Sequence, residues 1–94
     1  MTLLSKKIII SGKVQGVGYR VWLKNFCNKN KITGWVLNKN NGDVEATFCD
    51  IEDEIFKDLL SNCFMGPPNA KVTNICIETL LNYKSPSTFK IVEE

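Results

Sequence analysis

An Asn-Gly pair at residues 41 and 42 constrains the fold of this chain more than any other feature. It lies between two short apolar segments, residues 35–38 and 44–48. In that setting an Asn-Gly pair is the strongest short-range signal for a tight β-hairpin. Two adjacent antiparallel strands near the middle of the chain exclude an all-parallel sheet, because neighbouring parallel strands need a long crossover connection.

Strands and helices alternate along the rest of the chain. Apolar residues in alternating or isoleucine-rich runs predict strands, and apolar residues at three- and four-residue intervals predict two amphipathic helices. The predicted strands are residues 6–11, 35–38, 44–48, 70–78 and 89–92, and the predicted helices are residues 19–30 and 52–65. The order is that of an α+β, ferredoxin-like split β-α-β sandwich (βαββαβ), with an antiparallel sheet, two helices on one face and a short extra C-terminal strand.

Polar and turn-forming residues predict where the two helices begin and end. Asp50 is expected to cap the second helix, whose first turn carries acids at residues 52–54 that suit the positive end of the helix dipole. Gly66 and the two prolines after it are expected to stop that helix. At the end of the first helix, either Asn30 takes the left-handed conformation or a core contact is lost.

The length and composition of the chain predict one small domain. Its 94 residues, 44% of them hydrophobic and 23% charged, can bury one modest core, so we expect a single domain spanning residues 1–94. The chain contains no apolar run of roughly 18 residues and no secretion signal at its N-terminus. We therefore expect a cytoplasmic protein with no membrane partner. The sequence does not fix the oligomeric state, and a monomer is expected.

The chain has four cysteines and no histidine. Because no two cysteines form a Cys-x-x-Cys pair, a zinc site would need scattered thiolates alone, and we expect no metal. Without a secretion signal the thiols are expected to be reduced and mostly buried. The sequence does not choose among the three disulfide pairings that four cysteines allow. The cysteines are Cys27, Cys49, Cys63 and Cys76.

The net charge of +2 hides an asymmetry between the two halves of the chain. Residues 1–42 contain eight Lys or Arg and no acid, whereas residues 43–94 contain ten acids and four Lys. A basic first half favours an anionic ligand. The alternative is that the two halves interleave in the fold and their charges offset each other, and the sequence alone leaves both open.

A glycine-rich segment joins the first predicted strand to the first predicted helix. It reads Ser11-Gly12-Lys13-Val14-Gln15-Gly16-Val17-Gly18-Tyr19-Arg20. A glycine-rich turn before a helix can direct several backbone N–H groups into one concave site, which binds phosphate. Arg20 can hold two phosphate oxygens and stays charged at any working pH. The segment matches neither a P-loop nor a dinucleotide loop, whose third glycine is replaced by Val21.

Residues 12–20 resemble the phosphate-binding signature of the acylphosphatase family. The resemblance continues in order along nearly the whole chain, and its first two motifs are specific. Beyond residues 12–20 it is carried by Gly34-Trp35-Val36-Leu37-Asn38, Asn41-Gly42-x-Val44-Glu45, Gly66-Pro67-Pro68 and Phe89-Lys90-Ile91. The same module begins a larger family of hydrogenase-maturation proteins, but nothing follows residue 94 here, so we expect a small, stand-alone acylphosphatase.

The resemblance implies an enzyme that hydrolyses small acyl phosphates to a carboxylate and inorganic phosphate, without a metal or an organic cofactor. It implies that Arg20 and the loop backbone bind the phosphate, and that Asn38 holds the attacking water. Arg20 and Asn38 are therefore the implied catalytic residues. The implied phosphate-binding residues are Gln15, Gly16, Val17, Gly18, Tyr19 and Arg20.

The implied reaction suits these residue types. The leaving carboxylate is a weak base, with a free pKa of about 4, and needs little help from a general acid. Phosphoryl transfer passes through a loose transition state, so positioning and electrostatic stabilisation can supply most of the catalysis. The Asn38 amide can orient water but cannot act as a base, so we expect a phosphate oxygen of the substrate to take the proton.

Two positions depart from the family pattern. Leu37 stands where a basic residue usually precedes the asparagine, which is expected to weaken attraction of the substrate without abolishing the chemistry. Asn30-Lys31 stands where a Leu-Gly pair commonly ends the first helix, which bears on stability more than on activity.

Two other functions compete with this one. An RNA-binding module can share the same element order, but it stacks bases on aromatic residues of its third strand, and residues 43–48 offer two acids and one aromatic. A phosphate or acyl-phosphate binder without turnover is the other rival, and the presence of both Arg20 and Asn38 argues against it. We therefore expect a small-molecule acyl phosphate or inorganic phosphate as ligand, and no nucleic acid.

Overall fold

The computed structural model of the protein describes residues 4–81 and 85–94, so the predicted domain of residues 1–94 is covered except for residues 1–3 and 82–84. The elements are β1 (Leu4–Lys13), α1 (Tyr19–Lys29), β2 (Thr33–Asn38), β3 (Val44–Ile51), α2 (Asp53–Met65), β4 (Lys71–Leu80) and β5 (Phe89–Ile91). The predicted order, with its short terminal strand, is confirmed. β1, β2, β3 and β4 each extend beyond their predicted ranges.

Within the described residues, five strands form one sheet in the order β4-β1-β3-β2-β5. The pairs among β1, β2, β3 and β4 are antiparallel, as predicted, whereas β5 lies parallel to β2. β5 differs because β4 ends at the end of the sheet where β2 begins. The chain therefore enters the far edge running in the same direction as β2, and the sheet is mixed.

The core lies between the two helices and one face of the sheet, as predicted. Its buried cluster contains Ile8, Ile10, Val14, Tyr19, Leu23, Cys27, Ile32, Val36, Val44, Ala46, Phe48, Ile51, Phe56, Leu59, Cys63 and Phe89. The rings of Phe48 and Phe89 stack with their centroids 5.8 Å apart. The short strand β5 therefore completes the core as well as the sheet.

The start of α2 corrects the prediction for Asp50. The helix begins at Asp53, and the residue at its N-cap position, Glu52, makes no capping hydrogen bond with its side chain. The predicted cap by Asp50 is therefore wrong. Asp50 belongs to β3, with a left-handed φ of 48°, and its N–H donates to Ser5 Oγ over 3.2 Å. The strand runs through it because Ile51 still pairs with β1.

The end of α1 corrects the prediction for Asn30. Asn30 has a φ of −101°, and the left-handed conformation falls on Lys31, with a φ of 58°. The Asn30 side chain donates to Phe26 O over 2.8 Å and stays against the helix. The Ile32 N–H donates to Cys27 O over 2.8 Å, as in a Schellman motif, and this turn delivers Ile32 to the core.

All four cysteines are free. Cys27, Cys49 and Cys63 are buried and Cys76 is exposed, as expected of reduced and mostly buried thiols. Across residues 4–81 and 85–94, no three His, Cys, Asp or Glu side chains lie close enough together to hold a metal ion. No helix in those residues is long and apolar enough to span a membrane.

The charge asymmetry of the sequence is offset by the topology. Every salt bridge in the described part of the chain joins a lysine of the basic half to a carboxylate of the acidic half. Lys39 Nζ, for example, lies 3.6 Å from a Glu45 oxygen and 3.3 Å from a Glu94 oxygen. Interleaving of the halves is therefore the better account, and attraction of an anion must come from local geometry.

Candidate active site

The loop between β1 and α1 presents backbone donors that no group in residues 4–81 and 85–94 uses. The N–H groups of residues 15–20 have no hydrogen-bond acceptor among the described residues, and α1 begins without a side-chain cap. Unpaired N–H groups at the positive end of a helix form a binding site for an anion. The local structure of this loop is therefore the one that the sequence predicted.

Two glycines give the loop its shape. Gly16 and Gly18 have φ angles of 73° and 79°, in the left-handed region that side chains rarely adopt. A Cβ built on either residue would meet no atom within 4 Å. Glycine therefore allows the turn and also leaves the approach to the N–H groups uncovered.

Tyr19 anchors the loop in the core. Its side chain is 1% exposed, its ring packs against the edge of Trp22, and its hydroxyl donates to Cys63 O over 2.6 Å. Burial, followed by the neighbouring Cys63, raises the pKa of the Tyr19 hydroxyl above its ordinary value, so the hydroxyl stays a neutral donor. Because the side chain points into the core, only the backbone of Tyr19 can serve a ligand.

Arg20 follows the loop with its guanidinium unpaired. It lies in the first turn of α1 and is half-buried. Among the described residues, no carboxylate forms a salt bridge with it. A guanidinium presents five N–H donors in a planar fork that matches the spacing of phosphate oxygens. An unpaired cation beside unpaired N–H groups is suited to a phosphate.

Asn38 ends β2 on the sheet face that carries the helices. It pairs with Val44 of β3, and the alternation of a strand turns its side chain to the same face as that of Val36. Its Oδ1 is buried and has no hydrogen-bond partner within the described chain. Burying an unpaired oxygen costs about 1–3 kcal/mol, a cost that a donor on a bound ligand or water offsets. Leu37 points to the opposite face, so its departure from the family pattern does not alter this lining.

The loop, Arg20 and Asn38 meet around one cavity of about 100 Å³. By its share of liquid volume, that space would hold roughly three water molecules, which suits a phosphoryl group. The cavity is lined by Val14, Gln15, Gly16, Gly18, Tyr19, Arg20, Val21 and Asn38. The structure thus brings together the predicted site residues except Val17, whose side chain packs against the core. Val14 and Val21 are lining residues that the sequence analysis did not assign to the site.

A larger cavity, of about 200 Å³, lies between the end of α1 and the start of α2. It is near the first residue of β2, whereas Asn38 is the last. Its lining includes Lys31, Asp50 and Glu52 but none of the predicted site residues. With charges of both signs, it is a weaker anion site than the smaller cavity.

The side chain of Gln15 ties the loop to the hairpin that carries Asn38. Its Nε2 donates to Lys39 O over 2.7 Å and to Asp43 O over 2.8 Å. These two carbonyls belong to the first and last residues of the turn that follows Asn38. The sequence implied a role for Gln15 through its backbone N–H, which was expected to bind phosphate. The structure adds a second role, for its side-chain amide.

The same turn is also held from its other side. The Lys39 N–H donates to Asp43 O over 2.9 Å. A Glu94 oxygen, Oε1, accepts the Asn40 N–H over 2.7 Å, while Glu94 Oε2 lies 3.3 Å from Lys39 Nζ. Nothing in the local sequence pattern pointed to Glu94, because its partners lie more than half the chain away.

Comparison with known proteins decides the family. Residues 6–91 match the family model described as acylphosphatase. This chain belongs to the acylphosphatase family. It is accordingly a hydrolase that acts on acyl phosphates, and the family and activity expected from the sequence are confirmed.

Individual acylphosphatases resemble the chain over most of their length. That of Rhodopseudomonas palustris is 36% identical over 90 residues, which cover 92% of this chain and 90% of the relative. That of Bacillus licheniformis is 38% identical over 76 residues, covering 81% of this chain and 83% of the relative. Acylphosphatases thus match this chain nearly end to end.

Solved structures agree with the sequence relatives. The crystal structure of the acylphosphatase from Bacillus subtilis superposes with a TM-score of 0.88 at 31% identity, covering 96% of this chain and 99% of that one. Full-length HypF, in a phosphate- and nucleotide-bound form, superposes with a TM-score of 0.79 at 26% identity. That match covers 98% of this chain but only 12% of HypF. The predicted ferredoxin-like fold class is confirmed.

Proposed function

We propose that this acylphosphatase-family hydrolase holds the phosphoryl group of its substrate with the N–H groups of residues 15–20 and with Arg20, and orients the attacking water with Asn38. The observation that carries the proposal is the convergence on one small cavity of three groups that have no partner in the described part of the chain. They are the loop N–H groups, the Arg20 guanidinium and the buried Asn38 Oδ1. Each can bind one part of an acyl phosphate and its water.

The donors match the charge that the reaction develops. The transition state of phosphoryl transfer spreads negative charge over three phosphoryl oxygens. Fixed N–H donors and one guanidinium stabilise that charge without having to reorganise. A carboxylate leaves readily, so the site needs no general acid at the leaving oxygen. Binding and positioning by the loop therefore account for most of the catalysis.

The residues that line the cavity limit which group can accept the proton of the attacking water. None of the described residues that line it is an Asp, Glu, His or Lys. Asn38 can accept a hydrogen bond from the water through Oδ1 and hold it for in-line attack. The proton then passes to a phosphoryl oxygen of the substrate. A rate that depended on the pKa of a protein carboxylate would contradict this step.

Four further properties belong to the proposal. The enzyme works without a metal, because Arg20 and the loop N–H groups supply the positive charge. It works as a monomer, because one chain provides every group that the mechanism uses. It works in the cytoplasm, since four free thiols suit a reducing compartment. It works as a single domain of residues 1–94. Sedimentation, cell fractionation and chelation test these points.

The RNA-binding alternative shares the element order of this fold, but the third strand lacks the exposed aromatic side chains that such a module uses. The aromatic of the third strand, Phe48, is fully buried in the core and stacks on Phe89. The opposite face of β3 carries Glu45 and Thr47 instead of aromatic side chains. On β3 this face therefore carries no aromatic side chain on which a base could stack.

Hydrolysis of benzoyl phosphate by the purified chain tests the proposal, with and without EDTA, for wild type, Arg20→Gln and Lys24→Gln. Lys24 lies one turn further along α1, is exposed and contributes the same charge, so it is the matched control. We expect turnover that resists EDTA and a loss of about 10³-fold in kcat/KM for Arg20→Gln. Lys24→Gln should stay within about twofold of wild type, as surface charges do.

Each other outcome would revise a stated part of the proposal. Turnover that survives in Arg20→Gln would remove Arg20 from the site. Turnover abolished by EDTA would contradict metal independence. A folded wild-type chain that binds phosphate without hydrolysing benzoyl phosphate would be a binding module that has lost turnover.

A further inference from the structure

The turn after Asn38 is braced by a residue that lies outside every motif of the site. The carboxylate of Glu94 uses both oxygens on this turn: Oε1 accepts the Asn40 N–H over 2.7 Å, and Oε2 lies 3.3 Å from Lys39 Nζ. Both partners directly follow Asn38 in the chain. The carboxylate is 37% exposed and the Lys39 side chain 29% exposed, so the contact is partly shielded from water.

The strand pairing explains why a side chain is needed there. β5 pairs with β2 as far as Val36, and the Val92 N–H donates to Val36 O over 2.9 Å. Beyond that point the C-terminal segment holds the hairpin through the side chain of Glu94. Gln15 holds the carbonyls of Lys39 and Asp43 in the same turn. The turn is therefore held by two side chains from distant parts of the chain, and Asn38 directly precedes it.

We infer that Glu94 is a positioning residue for hydrolysis: by holding the Asn40 N–H and the Lys39 ammonium it fixes the turn, and through the turn the direction of the Asn38 amide. The inference rests on the proposed role of Asn38. Glu94 does not line the cavity, so it does not touch the substrate. Its effect falls on the orientation of the water and not on the affinity for phosphate.

The test measures kcat and KM with benzoyl phosphate, and the inhibition constant of inorganic phosphate, for Glu94→Ala and Glu94→Gln. Because a misplacement of about 1 Å can cost about 10²-fold in rate, we expect Glu94→Ala to lower kcat about tenfold, with phosphate inhibition within about twofold of wild type. Glu94→Gln keeps an acceptor for the Asn40 N–H and should lose less. Glu93→Ala is the matched control, because this neighbouring carboxylate makes none of these contacts, and it should retain wild-type kcat.

A double-mutant cycle with Asn38→Ala separates positioning from general stabilisation. If Glu94 acts through the Asn38 amide, adding Glu94→Ala to Asn38→Ala should change kcat by less than about twofold. Multiplicative losses in the double variant would overturn the inference, and so would wild-type kcat in Glu94→Ala. Wild-type kcat in Asn38→Ala would instead overturn the proposed role of Asn38. The failure of the inference and the failure of the proposed function are thus distinguishable.

Discussion

The two walls of the cavity present different kinds of polar group to a ligand. The loop wall, residues 14–20, presents backbone N–H groups whose positions follow from two glycines and the buried Tyr19 ring. The hairpin wall, Asn38 with the turn of residues 39–43, presents one amide whose direction depends on contacts from Gln15 and Glu94. The comparison teaches that a site made of backbone is specified locally, whereas a site made of a side chain depends on distant residues that hold its support.

The largest expected effect comes from placing a methyl group in the loop wall. In Gly16→Ala the new Cβ stands in the open space beside the N–H groups and the backbone keeps an unfavourable φ of 73°. We expect kcat/KM to fall about 10³-fold as donors lose their alignment. Phosphate inhibition should weaken by a similar order, measured by steady-state kinetics and by calorimetric titration with inorganic phosphate.

The hairpin wall offers a matched substitution for this prediction. Gly42 also has a left-handed φ, 100°, with open space around its Cβ position, but it lies outside the cavity lining. Gly42→Ala should therefore cost about 1 kcal/mol of stability through its unfavourable φ while leaving phosphate inhibition within about twofold. Equal losses of phosphate affinity in the two variants would contradict the division between a binding wall and an orienting wall.

A smaller effect is expected from removing the two hydrogen bonds of Gln15, which join the loop wall to the hairpin wall. Gln15→Met keeps the size of the side chain but removes both donors, so the carbonyls of Lys39 and Asp43 lose a partner. We expect about 2 kcal/mol of lost stability in urea unfolding. Because both walls loosen, kcat should fall and phosphate inhibition should weaken together, each about fivefold to tenfold. Asn25→Met, on the exposed face of α1, is the control and should change neither quantity.

The last effect is on stability at alkaline pH and not on the kinetics, and it concerns the Cys63 thiol, whose backbone carbonyl accepts the Tyr19 hydroxyl of the loop wall. Burial raises the pKa of the Cys63 thiol to about 12 from its ordinary 9.0. The unfolded chain therefore releases a proton above pH 9.0 that the folded chain keeps, so stability that is present below pH 9.0 is lost as the pH rises toward 12. We expect the Cys63 contribution to the free energy of unfolding to fall by about 1.4 kcal/mol per pH unit in this window.

Urea unfolding followed across this alkaline window measures the effect. Burial also raises the pKa of the neighbouring Tyr19 and Cys27, which steepens the loss in the same direction. Cys63→Ala should therefore reduce the slope without removing it. A free energy of unfolding that increased with pH in this window would contradict the prediction, because buried neutral thiols require it to decrease.

The sequence predicted the loop wall better than the hairpin wall. The glycine spacing predicted the loop before α1 because backbone shape there follows from neighbouring residues. The predicted cap at Asp50 was wrong because pairing with β1 carried β3 through that residue, and pairing across a sheet is not visible in a local pattern. The left-handed turn at Lys31 and the brace at Glu94 were missed for the same reason, since each depends on contacts with a packed neighbour.

The parallel pairing of β5 with β2 also bears on how the chain reaches its folded state. Phe89 must find Phe48 across a long stretch of sequence, and contacts of high sequence separation form late because a large loop has to close first. The same closure seats the last large aromatic in the core and brings Glu94 to the turn after Asn38. Completion of the core and support of the turn after Asn38 thus depend on the same closure, and a chain that has not closed this edge lacks both sets of contacts.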